Sequence, residues 1–409
     1  MFFSQKQIVK VIENNQYLNS FIKDKVREFM KSFLETILEQ EIKIFIGREK
    51  YERKKSTVKK YRNGTRQRNY LTLQAGMIKL SIPRCRGYHF TSVLLNKRSI
   101  TQQELEDVIV QIWSEGSSYR DLQNLIRKIY GEYFCLKTFH TMIKRLDEYV
   151  AQYHNREIKY EYDCIFIDGL EISIKGLPKK YHKEYYRNKC KNAVKLAVLG
   201  QRREGKKIIK EIIDYKIAIS EDEFGYTELL RSLKNRGLTS DKIKVVIHDG
   251  EASISKALKN VYGRNKIQEQ RCMIHRLRNI LNCLRNRYNK EELNKDVWEV
   301  YSSTTKEEFH RKQSIIFDKW KIKEPEAMEI FNKTDENLLT KYNFEVHIHK
   351  SMHSNNTIER YFREIRRRTK VIGAFENVKS ADRLLFLTIE YLNQRRGSVP
   401  TNSNLKFTH

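Results

Sequence analysis

Two stretches decide the reading of this chain: Cys164–Gly176, CIFIDGLEISIKG, and Lys242–Gly250, KIKVVIHDG. Each is an apolar run of strand length, and each carries a carboxylate at the end of its most apolar part, Asp168 in the first and Asp249 in the second. An ionised carboxylate half buried at such a position is costly without a cation or a partner. Working outward, NAVKLAVLGQ (192–201) and KIIKEIIDYKIAI (207–219) read as two further strands. Then come the helix GYTELLRSLKNRG (225–237), the second of the deciding strands, the helix ASISKALKNVYG (252–263), the short strand KIQEQRC (266–272) and the helix MIHRLRNILNCLRNRY (273–288).

Three strands followed by alternating helix and strand resemble the order of a ribonuclease H-like α/β sheet. In that order the first and fourth strands are neighbours, so Asp168 and Asp249 meet at one edge. Glu359 opens the helix after Asn356 and is expected to face the same point. Three convergent carboxylates with no obligatory lysine partner suit hard divalent cations, and two ions about 3.5–4 Å apart would clamp the attacking and leaving oxygens of a phosphoryl displacement. Taken singly, each residue has a plainer meaning. Asp168-Gly169 and Asp249-Gly250 are ordinary turn dipeptides, and Glu359 with Arg363 is an ordinary helix-surface pair. Their joint placement on one strand order is what favours a site.

The charge points to a polyanion. The 409 residues hold 80 Lys and Arg against 51 Asp and Glu, a formal net charge of +29. Residues 48–86 carry 13 basic and 2 acidic residues, and residues 175–210 repeat that count. Both runs interleave aromatic residues, Tyr61 and Tyr70 in the first and Tyr181, Tyr185 and Tyr186 in the second. That mixture suits a nucleic-acid groove better than a solvated face, although charge alone does not separate DNA from RNA or an anionic membrane. With 39% hydrophobic residues, the chain is too apolar to be disordered. No run approaches the roughly 18–20 apolar residues of a membrane span, and MFFSQKQIVK lacks a signal peptide's apolar core. A soluble intracellular protein is expected. The six cysteines are scattered without a CxxC pair, which argues against disulfide stapling.

Elsewhere, residues 1–50 read as helical, with Gly47 as the stop. The strand-like pieces YLTL and MIKLSIPR follow. Three short helices are expected over 106–150, and the last two, with Ser118 or a neighbour as cap, resemble a helix-turn-helix whose final helix starts at Lys137. An ordinary three-helix unit is the alternative. Helical text runs from about Lys290 to Asn343, with Trp298 and Trp320 on it.

Longer motifs carry a resemblance. YERKKSTVKKYRNGTRQRNYLTLQAGMIKLSIPRCRG, EGSSYRDLQNLIRKIYG, VVIHDGEASISKAL, QRCMIHRLRN and NNTIERYFREIRRRTKVIGAF together resemble, along nearly the whole chain, the Mutator-type insertion-sequence transposases. The resemblance implies a ribonuclease H-like α/β catalytic domain with an all-helical insertion, preceded by a mainly helical DNA-binding region. It implies Asp168, Asp249 and Glu359 as a DDE triad holding magnesium or manganese, two ions in all. It also implies binding of double-stranded DNA at element ends and target, a homodimer or higher synaptic complex, and a place in the prokaryotic cytoplasm at the nucleoid, away from membranes.

Cys272 and His275 match the family's C/D-x-x-H motif near the active site. A half zinc site completed by His347, His349 or His353 is the competing possibility. Phosphate contacts are expected from Arg62, Arg66, Arg68, Arg84 and Arg86 in the first basic run, from Arg271, Arg276 and Arg278 beside His275, and from the row Arg363, Arg366 and Arg367 after Glu359. Trp298 and Trp320 could stack on a flipped base or simply fill a core. One departure is that Ser354 and Asn355 stand where relatives commonly place Thr-Thr. The expected domains are 1–95, N-terminal helical and basic; 96–155, helix-turn-helix-like; 156–289, first part of the core; 290–345, helical insertion; and 346–409, last part of the core. Two rivals to a transposase remain open, a catalytically idle DNA-binding regulator of the same fold and an RNA-directed nuclease.

Overall fold

Helix α1, Asn15–Ile46, stops where the sequence places its stop. Gly47 takes φ +78° and donates its N–H to the Lys43 carbonyl at 2.8 Å, the left-handed cap that glycine adopts without strain. The computed structural model describes residues 15–52, 60–95, 101–130, 134–175, 192–333, 336–345, 348–349, 352 and 356–397. The chain forms two units, one ending at Lys144 and the other starting at Arg145.

In the first unit, α1 packs Leu34 and Leu38 on Tyr70, Ile78 and Leu80. These belong to a two-stranded antiparallel ribbon of β1 (Tyr61–Thr72) and β2 (Gly76–Arg86). The sequence pieces YLTL and MIKLSIPR cover the end of β1 and most of β2; β1 begins nine residues before YLTL, at Tyr61, in polar and basic text. Helices α2 (Gln103–Ser114), α3 (Tyr119–Tyr130) and α4 (Leu136–Lys144) follow. Ser118 and Asp121 cap α3 reciprocally, with N–H to side-chain bonds of 2.9 and 3.2 Å. Tyr130 ties α3 to the hairpin turn by donating to the Leu73 carbonyl at 2.6 Å.

The single helix expected over 136–150 is broken. α4 ends at Lys144 and α5 (Leu146–Asn155) belongs to the second unit. Phe139, Met142 and Ile143 are buried within the first unit, Leu146, Val150 and Tyr153 within the second, so one apolar stripe serves two cores. The unit boundary therefore falls inside the expected 96–155 domain.

The second unit is a mixed α/β structure on a five-stranded sheet of order β5-β4-β3-β6-β7. Its strands are β3 (Tyr162–Ser173), β4 (Asn192–Glu204), β5 (Lys207–Ala218), β6 (Ile243–His248) and β7 (Gln268–Arg271). β3, β4 and β5 are antiparallel, whereas β6 lies parallel to β3, and β7 parallel to β6. One face buries Ile165, Ile167, Val194, Leu196 and Val198 under Tyr226, Leu229, Leu230 and Leu233 of α6 (Glu223–Asn235) and Ile254 and Leu258 of α7 (Ala252–Tyr262). Asp168, Leu170, Lys195 and Ala197 share the opposite face, since Asp168 pairs with Ala197 and Leu170 with Lys195.

After β7, α8 (Met273–Asn282) leads into α9 (Lys290–Tyr301), α10 (Lys306–Trp320) and α11 (Pro325–Asn332). Their core of Tyr301, Phe309, Trp320 and Phe331 is continuous with Met273, Leu277 and Ile280 of α8, which fastens this helical segment beside the sheet edge. α12 (Asn356–Ile372) and α13 (Val378–Arg395) complete the unit. Among the described residues no helix is long and apolar enough to cross a membrane.

Candidate active site

The parallel pairing of β3 and β6 settles where the two aspartates lie. Cys164 pairs with Val245 and Phe166 with Ile247; Asp168 follows on β3 and Asp249 just past the end of β6, near enough for its charge to act on Asp168, although Asp249 does not itself line the cavity that Asp168 and Glu359 share. The first and fourth strands are thus neighbours, as their order in the sequence implied. Asp168 is mostly enclosed. Burial is the main force on its carboxyl, and the charges of Asp249, Glu221 and Glu359 add to it; together they raise it to about 7, against one hydrogen bond from the Gly169 N–H at 2.9 Å. A carboxylate crowded by three others in a basic chain is a place where positive charge is wanted.

Asp168, Gly169, His275, Arg278, Glu359, Phe362, Arg363 and Arg366 line a cavity of about 390 Å³. Glu359, in the first turn of α12, faces it. Arg278 of α8 grips Glu359 with both arms, at 2.7 and 3.1 Å, and His275 Nε2 stands 3.4 Å from the same carboxylate. The Arg278 hydrogen bonds hold the Glu359 carboxyl below its ordinary range, despite partial burial. His275 is held below the usual imidazole value, chiefly by burial, and its Nδ1 is enclosed without a partner among the described residues. It therefore stands as a neutral imidazole next to the carboxylates.

These oxygen donors suit a hard divalent ion in kind. In number and position the arrangement is not closed: among the described residues no three His, Cys, Asp or Glu side chains stand close enough to hold a metal, and Glu359 is bonded to Arg278.

The remaining expectations divide. Cys272 is buried at the N-terminus of α8, where its N–H donates to the His248 carbonyl at 2.7 Å; it does not line the cavity. His349 is buried and bonded to the Phe344 carbonyl at 2.9 Å, while His347 and His353 lie outside the described residues. Arg276 must be taken out of the phosphate-binding set. It is buried and gives its guanidinium to the carbonyls of Ile330 and Lys333 in and after α11. Arg62 is committed to Glu39. Arg271 packs against Gly250, where any Cβ would meet its guanidinium, close behind Asp249. Arg363, Arg366 and Arg367 are exposed, with Arg367 pairing with Glu364 at 3.3 Å. Arg66, Arg68 and Arg84 come together around a cavity of about 480 Å³, and Arg86 is exposed nearby on β2. Trp320 is a core residue, its indole N–H donating to Asp296 at 2.7 Å; Trp298 is partly exposed. Of the second basic run, 176–191 lies outside the described residues, with Tyr181, Tyr185 and Tyr186 in it.

Two residues at the site escaped the sequence reading. Glu221 lies so close to Gly169 that any Cβ there would strike its carboxylate, and it accepts the Tyr226 hydroxyl at 2.5 Å. The acidic run Glu221-Asp222-Glu223, conspicuous in so basic a chain, was the available signal. Lys195 is fully buried, with its ammonium 5.2 Å from the Phe362 ring centre, and Phe362 lines the cavity.

The chain has relatives among known proteins. Residues 3–395 match the model of the Mutator-family transposases, and the chain belongs to that family. It is 28% identical over 375 residues to the transposase of insertion sequence element IS905 from Lactococcus lactis subsp. lactis, covering 91% of this chain and 90% of that one. It is 25% identical to the transposase of IS256 in transposon Tn4001 from Staphylococcus aureus, covering 89% of each. Among solved structures, the Drosophila P element transposase strand transfer complex aligns with TM-score 0.43 and 11% identity, over 74% of this chain and 93% of that chain.

Proposed function

We propose that this protein is a DNA transposase that binds the terminal inverted repeats of its element and cleaves and joins DNA strands with a DDE triad of Asp168, Asp249 and Glu359 on a ribonuclease H-like core. The observation that supports the reading is that Asp168 and Glu359 line one cavity while the charges of Asp249 and Glu359 both act on Asp168. The family's relatives, named as transposases of insertion sequences, support it.

Magnesium or manganese, as two ions held by Asp168, Asp249 and Glu359, would supply an activated water and neutralise charge at the phosphate. The chain's own groups do the rest. Glu359 would have to leave Arg278 to serve as an ion ligand, and Arg278, Arg363 and Arg366 take phosphate oxygens. Neutral His275 accepts or returns a proton at the attacking or leaving oxygen. Water first displaces a 3′-oxygen, freeing a 3′-OH. That hydroxyl then attacks a second phosphodiester, whose own 3′-oxygen leaves with the proton. No covalent protein intermediate is needed. Two element ends meeting in one reaction call for a dimer or larger assembly.

The test is Asp168→Asn. Strand cleavage of end-containing DNA is expected to vanish while end binding stays near wild type; cleavage at the wild-type rate would sink the triad. One observation favours the idle-regulator alternative, namely that Glu359 is engaged by Arg278. Manganese titration of the wild-type chain separates the two, since a regulator has no use for a site that loads ions.

A further inference from the structure

The first unit's ribbon has two unlike faces. Pairing of Arg66 with Ile82, Arg68 with Leu80 and Tyr70 with Ile78 puts these, with Arg84, on the face that packs on α1 and opens to the arginine-lined cavity. Gln67 with Ser81, and Asn69 with Lys79, fall on the other, where α1 borders it at Ser81, whose N–H donates to Glu35 at 2.7 Å, while Gln67, Asn69 and Lys79 stay open. Gln67, Asn69 and Lys79 are exposed, and Gln67 Nε2 donates to Ser81 Oγ at 2.9 Å, tying the amide across the strands. Neither strand contains an acidic residue, while together they carry six basic ones. At its base the ribbon is anchored by the apolar core and by the Tyr130 hydrogen bond.

These features fit one partner. The major groove of duplex DNA, about 12 Å wide, admits a two-stranded ribbon, and amide side chains there bond the N6 and N7 edge of adenine while lysine bonds guanine. Short polar side chains on a rigid scaffold are a reading surface; a face meant only to attract phosphates would carry arginines, as the opposite face does. We propose that the β1–β2 ribbon enters the major groove with Gln67, Asn69 and Lys79 at base edges, and that Arg66 and Arg84 behind it add attraction without readout. The inference rests on the DNA-binding part of the proposed function and names the element that reads the sequence, where the sequence alone offered the helix from Lys137 as one of two readings.

The experiment uses the full chain. Preferred duplexes are selected from a randomised 20-base-pair pool by wild-type protein, and affinities are measured for the selected duplex, a scrambled duplex and the matching RNA duplex. Gln67→Ala with Asn69→Ala is expected to reduce the preference for selected over scrambled DNA by roughly tenfold or more, with scrambled binding and thermal unfolding unchanged. Arg66→Ala with Arg84→Ala is expected to weaken both duplexes equally. Replacing adenine by 7-deazaadenine, which lacks N7, is expected to lower wild-type preference and to leave the double amide variant unaffected. Full preference in the amide variant, loss of preference through His140→Ala and Thr141→Ala alone, no selected sequence, or equal binding of the RNA duplex would each overturn the proposal. None of these outcomes bears on Asp168→Asn cleavage, so failure of the ribbon and failure of the triad are told apart.

Discussion

Arg278 is the cation that Glu359 faces. Its two hydrogen bonds to Glu359 satisfy a carboxylate that would otherwise repel Asp168, and the pair is half exposed, so its net worth to folding is about 1 kcal/mol or less. Arg278→Ala is therefore expected to leave the melting temperature almost unchanged and to tighten manganese binding measured by calorimetry. Unchanged manganese affinity would show that the pair does not compete with ion loading. Lys195 offers a second test. It occupies the sheet face of Asp168, fully buried, with no hydrogen-bond partner for Nζ among the described residues, and burial pulls its ammonium well below the usual lysine range. Lys195→Met removes a desolvated amine and keeps the volume, so a gain of about 1 kcal/mol, or roughly 2–4 °C, is expected. A fall in stability would reveal a partner for the amine. Sequence could find Asp168 and Asp249 because a carboxylate ending an apolar run violates an expectation visible locally. It could not find the Arg278 pairing, which joins residues 81 apart in the chain, nor the burial of Arg276, since a buried and an exposed arginine read alike until the carbonyls they bind are placed.

At the scale of elements, α1 and the strands β3, β4, β5 and β6 were legible because their apolar periods are long and uninterrupted. The ribbon was legible only at its base, because pairing is specified there by buried Tyr70, Ile78 and Leu80 and beyond it by backbone hydrogen bonds between polar residues. α4 and α5 were fused because both lie on one helical stripe. The junction of α5, β5, α6 and α13 was not foreseen at all. His154 bonds Asp214 at 2.7 Å and Asp382 at 3.3 Å; Arg236 also pairs with Asp214, and Tyr215 donates to Asp382 at 2.6 Å. Burial opposes the charge on His154, but the two carboxylates prevail and hold it up at about 9. A histidine raised on folding stabilises fully below its unfolded value, near 6.5, and loses that contribution as pH rises through about 9. Melting temperature is expected to fall between pH 7 and pH 10 by more in wild type than in His154→Gln, where at most about 3 kcal/mol is at stake. Parallel pH profiles would remove His154 as the cause.

Across the whole molecule, the +29 net charge survives folding. Six basic residues, Lys195, Arg202, Arg276, Lys341, Arg368 and Arg383, are buried among those described, against five acidic ones, Glu106, Glu211, Asp214, Glu324 and Glu390. Among the described residues the interior is nearly balanced, so the positive excess they carry stays outside as a field for a polyanion. Two separate groups of exposed arginines stand out: the ribbon, with Arg66, Arg84 and Arg86, and the row after Glu359, with Arg363 and Arg366. If each contacts its own phosphates on one bound DNA, the effects of removing them must add. The ribbon triple to alanine should lower the slope of log affinity against log salt by about 2.7 and the α12 pair by about 1.8, with the combined variant near 4.5. Of the two sets, only the α12 pair should also slow cleavage once the DNA concentration is raised to restore binding, because Arg363 and Arg366 line the carboxylate cavity and the ribbon arginines do not. A combined loss no larger than that of the ribbon set alone would mean that the α12 arginines never touch the duplex, and the cavity would then have to receive its scissile phosphate without them.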